Sequence, residues 1–348
     1  MSIKTSTSLA VKYRPRKFSE VTEQDTIKQI LGEQLATGQL KRVLLFTGPA
    51  GTGKTTNARI FANEIESCKA NIIEINAADH TGVEDVRTII DNCKSKPLQG
   101  KYKVFIIDEV HSLSVNAFNA LLKLLEEPPS YCIFIMCTTD PQKIIGTILS
   151  RAYRYDFQKI SHKGIVDRLN FILQQEKDAG ESGCGIVSWE MAALNYISKT
   201  ANGGMRDAVT LLDKVISYSK NITVEDVVKV LGVTNYDIQF DIFDCLFDKN
   251  EQQLTIKLDE LYKSGKDLKL FTKNFLSFVL DLNKYITLKS FDYVSIPSTY
   301  QDRLDKYNLA YKSFLKHLLT KLIELNASMK WEVNPKTLLE SSFLIEVL

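Results

Sequence analysis

The sequence has no run of about 18 apolar residues, so nothing in it reads as a transmembrane span. It has no cysteine pair at C-x-x-C spacing. Its six cysteines, Cys68, Cys93, Cys132, Cys137, Cys184 and Cys245, are spread over 348 residues. That spacing excludes a zinc ribbon and a dense disulfide framework, and suits reduced thiols. The opening Met-Ser-Ile-Lys-Thr-Ser-Thr-Ser lacks the apolar stretch of a secretion signal. Net charge is scarce too. Lys and Arg number 44 against 42 Asp and Glu, leaving +2. A protein that coats nucleic acid by bulk charge is excluded, and any DNA contact must come from a local patch or from several copies acting together. Low-complexity segments and internal repeats are absent. What remains is a globular composition, 44% hydrophobic and 25% charged, able to bury a core. At about 150 residues per domain, this length predicts two or three domains.

Three regions differ in texture. In the first, short β-rich runs alternate with amphipathic stretches. The runs are Val43–Thr47, Ile72–Asn76, Val104–Asp108, Cys132–Thr138 and Tyr153–Phe157. This alternation predicts a parallel sheet covered on both faces by helices. The second region reads as helices with short polar links; Ala208, Leu211, Leu212 and Val215 share one face after Gly203-Gly204. The third is helical and rich in Leu, Phe and Tyr. Its stripe of Phe271, Phe275, Phe278 and Leu282 reads as packing surface.

Gly48-Pro49-Ala50-Gly51-Thr52-Gly53-Lys54-Thr55 follows the first β run and opens a helical pattern. It matches the phosphate-loop spacing G-x-x-x-x-G-K-[ST] with a strand before and a helix after. The glycines let backbone N–H groups turn inward on phosphate oxygens, and the helix adds its positive end. Lys54 supplies a point charge, and the Thr55 hydroxyl can ligate Mg²⁺. The run Val104–Asp108 delivers Asp108 and Glu109 to the end of a strand, where ligands sit in open α/β sheets. Asp108 is expected to hold Mg²⁺, and Glu109 to orient and deprotonate a water. A second acid beside the metal ligand favours hydrolysis over transfer to a bound hydroxyl.

Further motifs carry a family resemblance. They are Leu9-Ala10-Val11-Lys12-Tyr13-Arg14-Pro15, Ile73-Glu74-Ile75-Asn76-Ala77-Ala78, Asp108-Glu109-Val110-His111, Phe118-Asn119-Ala120-Leu121-Leu122-Lys123, Leu125-Glu126-Glu127-Pro128-Pro129, Thr138-Thr139-Asp140-Pro141-Gln142-Lys143 and Ile148-Leu149-Ser150-Arg151. With the phosphate loop, they make the chain resemble the gamma/tau ATPase subunits of the bacterial DNA polymerase III clamp loader, which are AAA+ proteins. The likeness is densest over residues 9–157.

The resemblance implies an α/β AAA+ nucleotide-binding domain (1–160), a helical lid (161–233) and an all-α collar (234–348) through which copies assemble. It implies ATP and Mg²⁺ as ligands, with Thr56 and the segment Tyr13, Arg14 and Pro15 also against the nucleotide. Thr139 falls at the sensor-1 position, Arg206 at the sensor-2 position, and Arg151 at the arginine finger that acts on a neighbouring subunit's nucleotide. Implied partners are a sliding clamp, other loader subunits in a pentamer, and primer–template DNA; no membrane is implied. Candidate DNA contacts are the stretch from His80 to Arg87, above all Arg87, and Lys143. Ser114 is expected to cap a helix whose face shows Phe118, Leu121, Leu122 and Leu125. Val115 at its start is the candidate clamp contact.

Three departures from the family pattern bear on these expectations. The stretch Phe61–Asn71 has one cysteine where relatives carry a zinc insert, so no zinc is expected. The finger motif reads Ser150-Arg151-Ala152, without the usual cysteine. The sequence ends soon after Trp331-Glu332-Val333-Asn334-Pro335, without a long tail. Together these suggest a short form acting in the cytoplasm, with a phage as its source. Two other readings share the phosphate loop: another AAA+ DNA motor, such as a Holliday-junction helicase or replication initiator, and a nucleotide-gated scaffold that hardly turns over.

Overall fold

The computed structural model describes residues 7–66, 68–79, 82–180, 183–230, 236–265, 267–297 and 300–347. The chain divides into two compact units, one of Met1–Cys184 with Ala201–Asp213, the other of Gly185–Thr200 with Lys214–Leu348.

The first unit is built on β1 (Val43–Thr47), β2 (Ile72–Asn76), β3 (Lys103–Asp108), β4 (Cys132–Thr138) and β5 (Tyr153–Asp156), close to the runs that hydrophobicity predicts. They form one parallel sheet of order β2-β3-β4-β1-β5. Every residue of β1 and β4 is buried, as helices on both faces require. On one face, α4 (Val83–Cys93) and α5 (Val115–Glu126) pack Val86, Ile89, Phe118, Leu121 and Leu125 against Phe105 and Phe134. On the other, α2 (Asp25–Thr37) and α3 (Lys54–Ile65) bring Ile27, Leu31 and Phe61 onto Leu44, Phe46 and Ile106. Ser114 caps α5 as expected, its hydroxyl accepting from the Ala117 N–H at 3.3 Å.

Parallel pairing sends all five strand ends to one edge. Thr47 registers with Thr138, and Asn76 with Asp108. The phosphate loop after β1, the acids after β3 and Thr139 after β4 therefore converge without any further device.

At the end of α3 the chain is held by a buried carboxylate. Glu66, 3% exposed, accepts from the N–H groups of Cys68 (2.9 Å), Lys101 (2.8 Å) and Tyr102 (3.0 Å). Burial pushes its pKa up, but these donors outweigh it and hold the carboxyl below its ordinary value. A depressed folded-state pKa contributes stability that is complete above the unfolded value of 4.5 and fades as pH falls through the lower folded one. Glu66→Ala leaves three donors without an acceptor and is expected to cost about 1–3 kcal/mol at pH 7. Thermal melts across pH should show the gap between variant and parent closing below pH about 4. A gap that persists unchanged in acid would exclude a charged acceptor as its cause.

Among its described residues the second unit is helical apart from the two-stranded pairing of β6 (Ser188–Trp189) with β7 (Asn221–Ile222). Its longest helix, Leu268–Leu288, is capped by Asp267, which accepts from the Lys269 N–H at 2.8 Å. Phe271, Phe275, Phe278 and Leu282 are all buried, so the aromatic stripe is core. Among the described residues no helix is long and apolar enough to cross a membrane.

Candidate functional site

The convergent strand ends open into a cavity of about 430 Å³ in the first unit. The phosphate loop forms its floor. Gly51 and Gly53 have φ of +72° and +97°, which a side chain would strain. A Cβ on Gly51 would also come within 3.0 Å of the Gly204 Cα. Lys54, only 6% exposed, donates to the carbonyls of Gly48 (2.8 Å) and Pro49 (2.7 Å). An ammonium has three protons, so one remains for a ligand. Burial lowers the Lys54 pKa, against the opposing pull of Glu109 and Asp108.

Thr55 Oγ1 donates to Asp108 Oδ2 at 2.8 Å, which places two hard oxygen donors side by side beneath the loop. That pair, under a glycine cradle and beside a buried ammonium, fits a nucleoside triphosphate with its Mg²⁺. Glu109 stands beside them in the left-handed region, φ +49° and ψ +41°. Non-glycine residues rarely adopt this backbone, and such strain collects at functional sites. Its Oε2 accepts from Thr139 Oγ1 at 3.1 Å and lies 3.3 Å from His111 Nδ1. That nitrogen is also 3.1 Å from Thr138 Oγ1, so the end of β4 and the end of β3 are joined through side chains.

The cavity wall is completed by residues far away in sequence. Tyr13, Arg14 and Pro15 line it. The Tyr13 hydroxyl is turned onto Glu176 (2.6 Å) and its carbonyl onto Arg168 (2.9 Å), so the tyrosine is fixed in place. Burial raises the pKa of Tyr13 further above its ordinary value, helped by Glu176. The helix α9 (Met205–Tyr218) starts at the phosphate loop, where the Met205 N–H donates to the Gly51 carbonyl at 3.0 Å. Arg206, one residue on, lines the same cavity with an exposed side chain.

The structure thus brings together Tyr13, Arg14, Pro15, Ala50, Gly51, Thr52, Gly53, Lys54, Thr55, Thr56, Asp108, Glu109, Thr139 and Arg206. Gly48 and Pro49, the first two residues of the loop, are not among the cavity-lining residues, and their carbonyls accept from Lys54. Arg151 is elsewhere, paired with Glu126 at 2.8 Å and not lining this cavity. Arg87 and Lys143 are exposed cations on i,i+3 pairs with Glu84 and Asp140. His80 lies outside the described residues. Val115 is 66% exposed at the start of α5. Two cationic cavity residues have no motif to announce them. Arg168 arrives from α7 (His162–Asp178), and Arg59 comes from the phosphate-loop helix, where it is held by Glu74 at 2.7 Å.

Comparison with known proteins agrees along the chain. Residues 65–161 match the family model for the DNA polymerase III delta subunit. Residues 164–221 match the ATPase lid domain of DNA polymerase III clamp loader subunits, and residues 222–311 match domain III of subunits gamma and tau. The chain is 36% identical to DNA polymerase III subunit tau of Bacillus subtilis over 354 residues, which is 94% of this chain and 61% of that one. It therefore spans less than two thirds of that relative's length. It is 33% identical to DNA polymerase III subunit gamma of Buchnera aphidicola subsp. Baizongia pistaciae, covering 91% of this chain and 86% of the relative. Among solved structures, the RuvB Holliday junction branch migration motor of Thermotoga maritima shares the fold. Its TM-score is 0.50 at 22% identity, over 67% of this chain and 79% of that one.

Proposed function

Since the chain belongs to the gamma/tau family of DNA polymerase III clamp-loader subunits, we propose that it is an ATP-driven loader of a sliding clamp. The observation that carries this reading is the single cavity holding Lys54, Thr55, Asp108, Glu109, Thr139 and Arg206 together. Lys54 and the loop N–H groups bind the triphosphate. Thr55 and Asp108 would hold Mg²⁺, which would neutralise phosphate charge. Glu109 takes a proton from the attacking water, and Thr139 keeps that carboxylate aimed. Arg206 reports the terminal phosphate to the helix α9, so nucleotide state sets the lid angle.

The chain works in this reading as an AAA+ domain (1–160), a lid (161–233) and a collar (234–348). Copies and partner subunits assemble through the collar into a pentamer. Arg151 of one subunit then reaches the nucleotide of the next. ATP binding holds an open clamp and primer–template DNA, with Arg87 and Lys143 on phosphates and Val115 on the clamp. Hydrolysis releases both. The site of action is the cytoplasm of a bacterium, with a phage as source. With Cys68 as its one cysteine, the stretch 61–71 is expected to bind no zinc.

Purified loader should hydrolyse ATP several-fold faster with clamp and primed DNA together than with either alone. No extra stimulation by the pair would sink this reading, and ATP-driven strand separation would point to a motor of the RuvB type instead.

A further inference from the structure

Arg151 is held at two points by its own chain. One guanidinium nitrogen donates to the Thr147 carbonyl at 2.5 Å, in the short helix α6 (Gly146–Leu149). The other meets Glu126 Oε1 at 2.8 Å, at the last residue of α5. The anchors thus come from two different elements, and together they fix the plane of the group. A guanidinium carries five N–H donors, so three remain for another ligand.

A carboxylate beside a catalytic cation can act in two ways. It can compete with the phosphate and park the arginine, or it can brace it. Magnitudes decide between them. The two side chains are 36% and 45% exposed, and a pair so open to water is worth a factor of about five at most. A trans arginine is worth about 10³–10⁵ in rate. A fivefold contact cannot restrain a thousandfold one, so parking fails. Bracing needs far less. It has only to remove part of the rotamer freedom of a long side chain, which is the freedom that closing on a phosphate would otherwise cost.

We propose that Glu126 is a positioning residue for the arginine finger, orienting Arg151 toward the nucleotide of the neighbouring subunit. The proposal rests on the reading of Arg151 as that finger. It assigns a role to the first acid of Leu125-Glu126-Glu127-Pro128-Pro129, with the prolines ending α5 at the residue where the brace must stand.

The test is a double-mutant cycle in the assembled loader, with ATP turnover read in the presence of clamp and primed DNA. Glu126→Ala should lower the maximal rate about two- to fivefold, no more than the contact itself is worth. The KM for ATP should not move, because the variant's own pocket is untouched. Glu126→Gln keeps an acceptor for the guanidinium and should lose less than the alanine variant. In an Arg151→Ala background, Glu126→Ala should cost nothing further. An unchanged rate in the single variant would overturn the proposal, as would an equal loss in both backgrounds. A rise in rate would overturn it in favour of parking. If Arg151→Ala itself leaves turnover intact, the finger reading has failed rather than the brace alone. Equal melting temperatures of parent and variants separate every one of these results from misfolding.

Discussion

Arg151→Ala should lower clamp- and DNA-stimulated ATP turnover of the assembled loader by about 10³-fold or more. The argument begins with what the residue does not touch. Arg151 is absent from the lining of its own chain's cavity, so its removal should leave nucleotide binding by that chain unchanged. Its contacts are one carbonyl and one half-exposed carboxylate, so the fold should lose no more than about 1 kcal/mol. A large kinetic loss with neither a binding loss nor a stability loss is the signature of a group acting on another subunit's substrate. Mixed assemblies check this directly. A subunit with an intact cavity and no Arg151 should be restored by a neighbour that has Arg151 but carries Lys54→Ala. If an Arg151→Ala subunit hydrolyses ATP normally beside Arg151→Ala neighbours, the shared site does not exist.

The second large effect concerns the base. Glu109→Gln should reduce turnover by about 10²–10⁴, the usual worth of a positioned proton acceptor. The amide retains an oxygen that can accept from Thr139, and the left-handed backbone at this position is equally open to Gln. ATP affinity should therefore stay within a few-fold of the parent. The functional consequence is specific: the variant should bind clamp and primed DNA with ATP and then fail to let go. Release measured by loss of a labelled clamp from the loader reads this directly. A variant that still releases clamp at the parent's rate would mean that turnover is incidental and the chain is a nucleotide-gated scaffold.

Much of this was legible in the residues. The five strands lie almost where β-rich runs predict them: the inner strands β1, β3 and β4 are buried and apolar because helices cover both faces, while the edge strands β2 and β5 are only partly buried and carry Glu74, Arg154 and Asp156. The Phe271–Leu282 stripe is core because its spacing matches the helical turn. The glycine-rich loop and the Asp108-Glu109 pair announce phosphate chemistry because few other backbones and charges can do it.

What escaped the sequence is polar and long-range. Tyr13 is fixed by Glu176, 163 residues away, and the loop at residues 101–102 by Glu66. Arg168 enters the cavity wall with no motif around it, and Glu126 reaches Arg151 only because α5 and α6 end close together. The sequence by itself determined the strands, the helices, the phosphate loop and the class of ligand, because periodicity and local spacing are properties of neighbouring residues. Only the tertiary structure decided which charges meet, which way Glu109 is aimed, and that Arg151 stands outside its own cavity. Those outcomes depend on distances between elements, and a carboxylate chooses its donor among whatever the packed sheet and helices bring within about 3 Å.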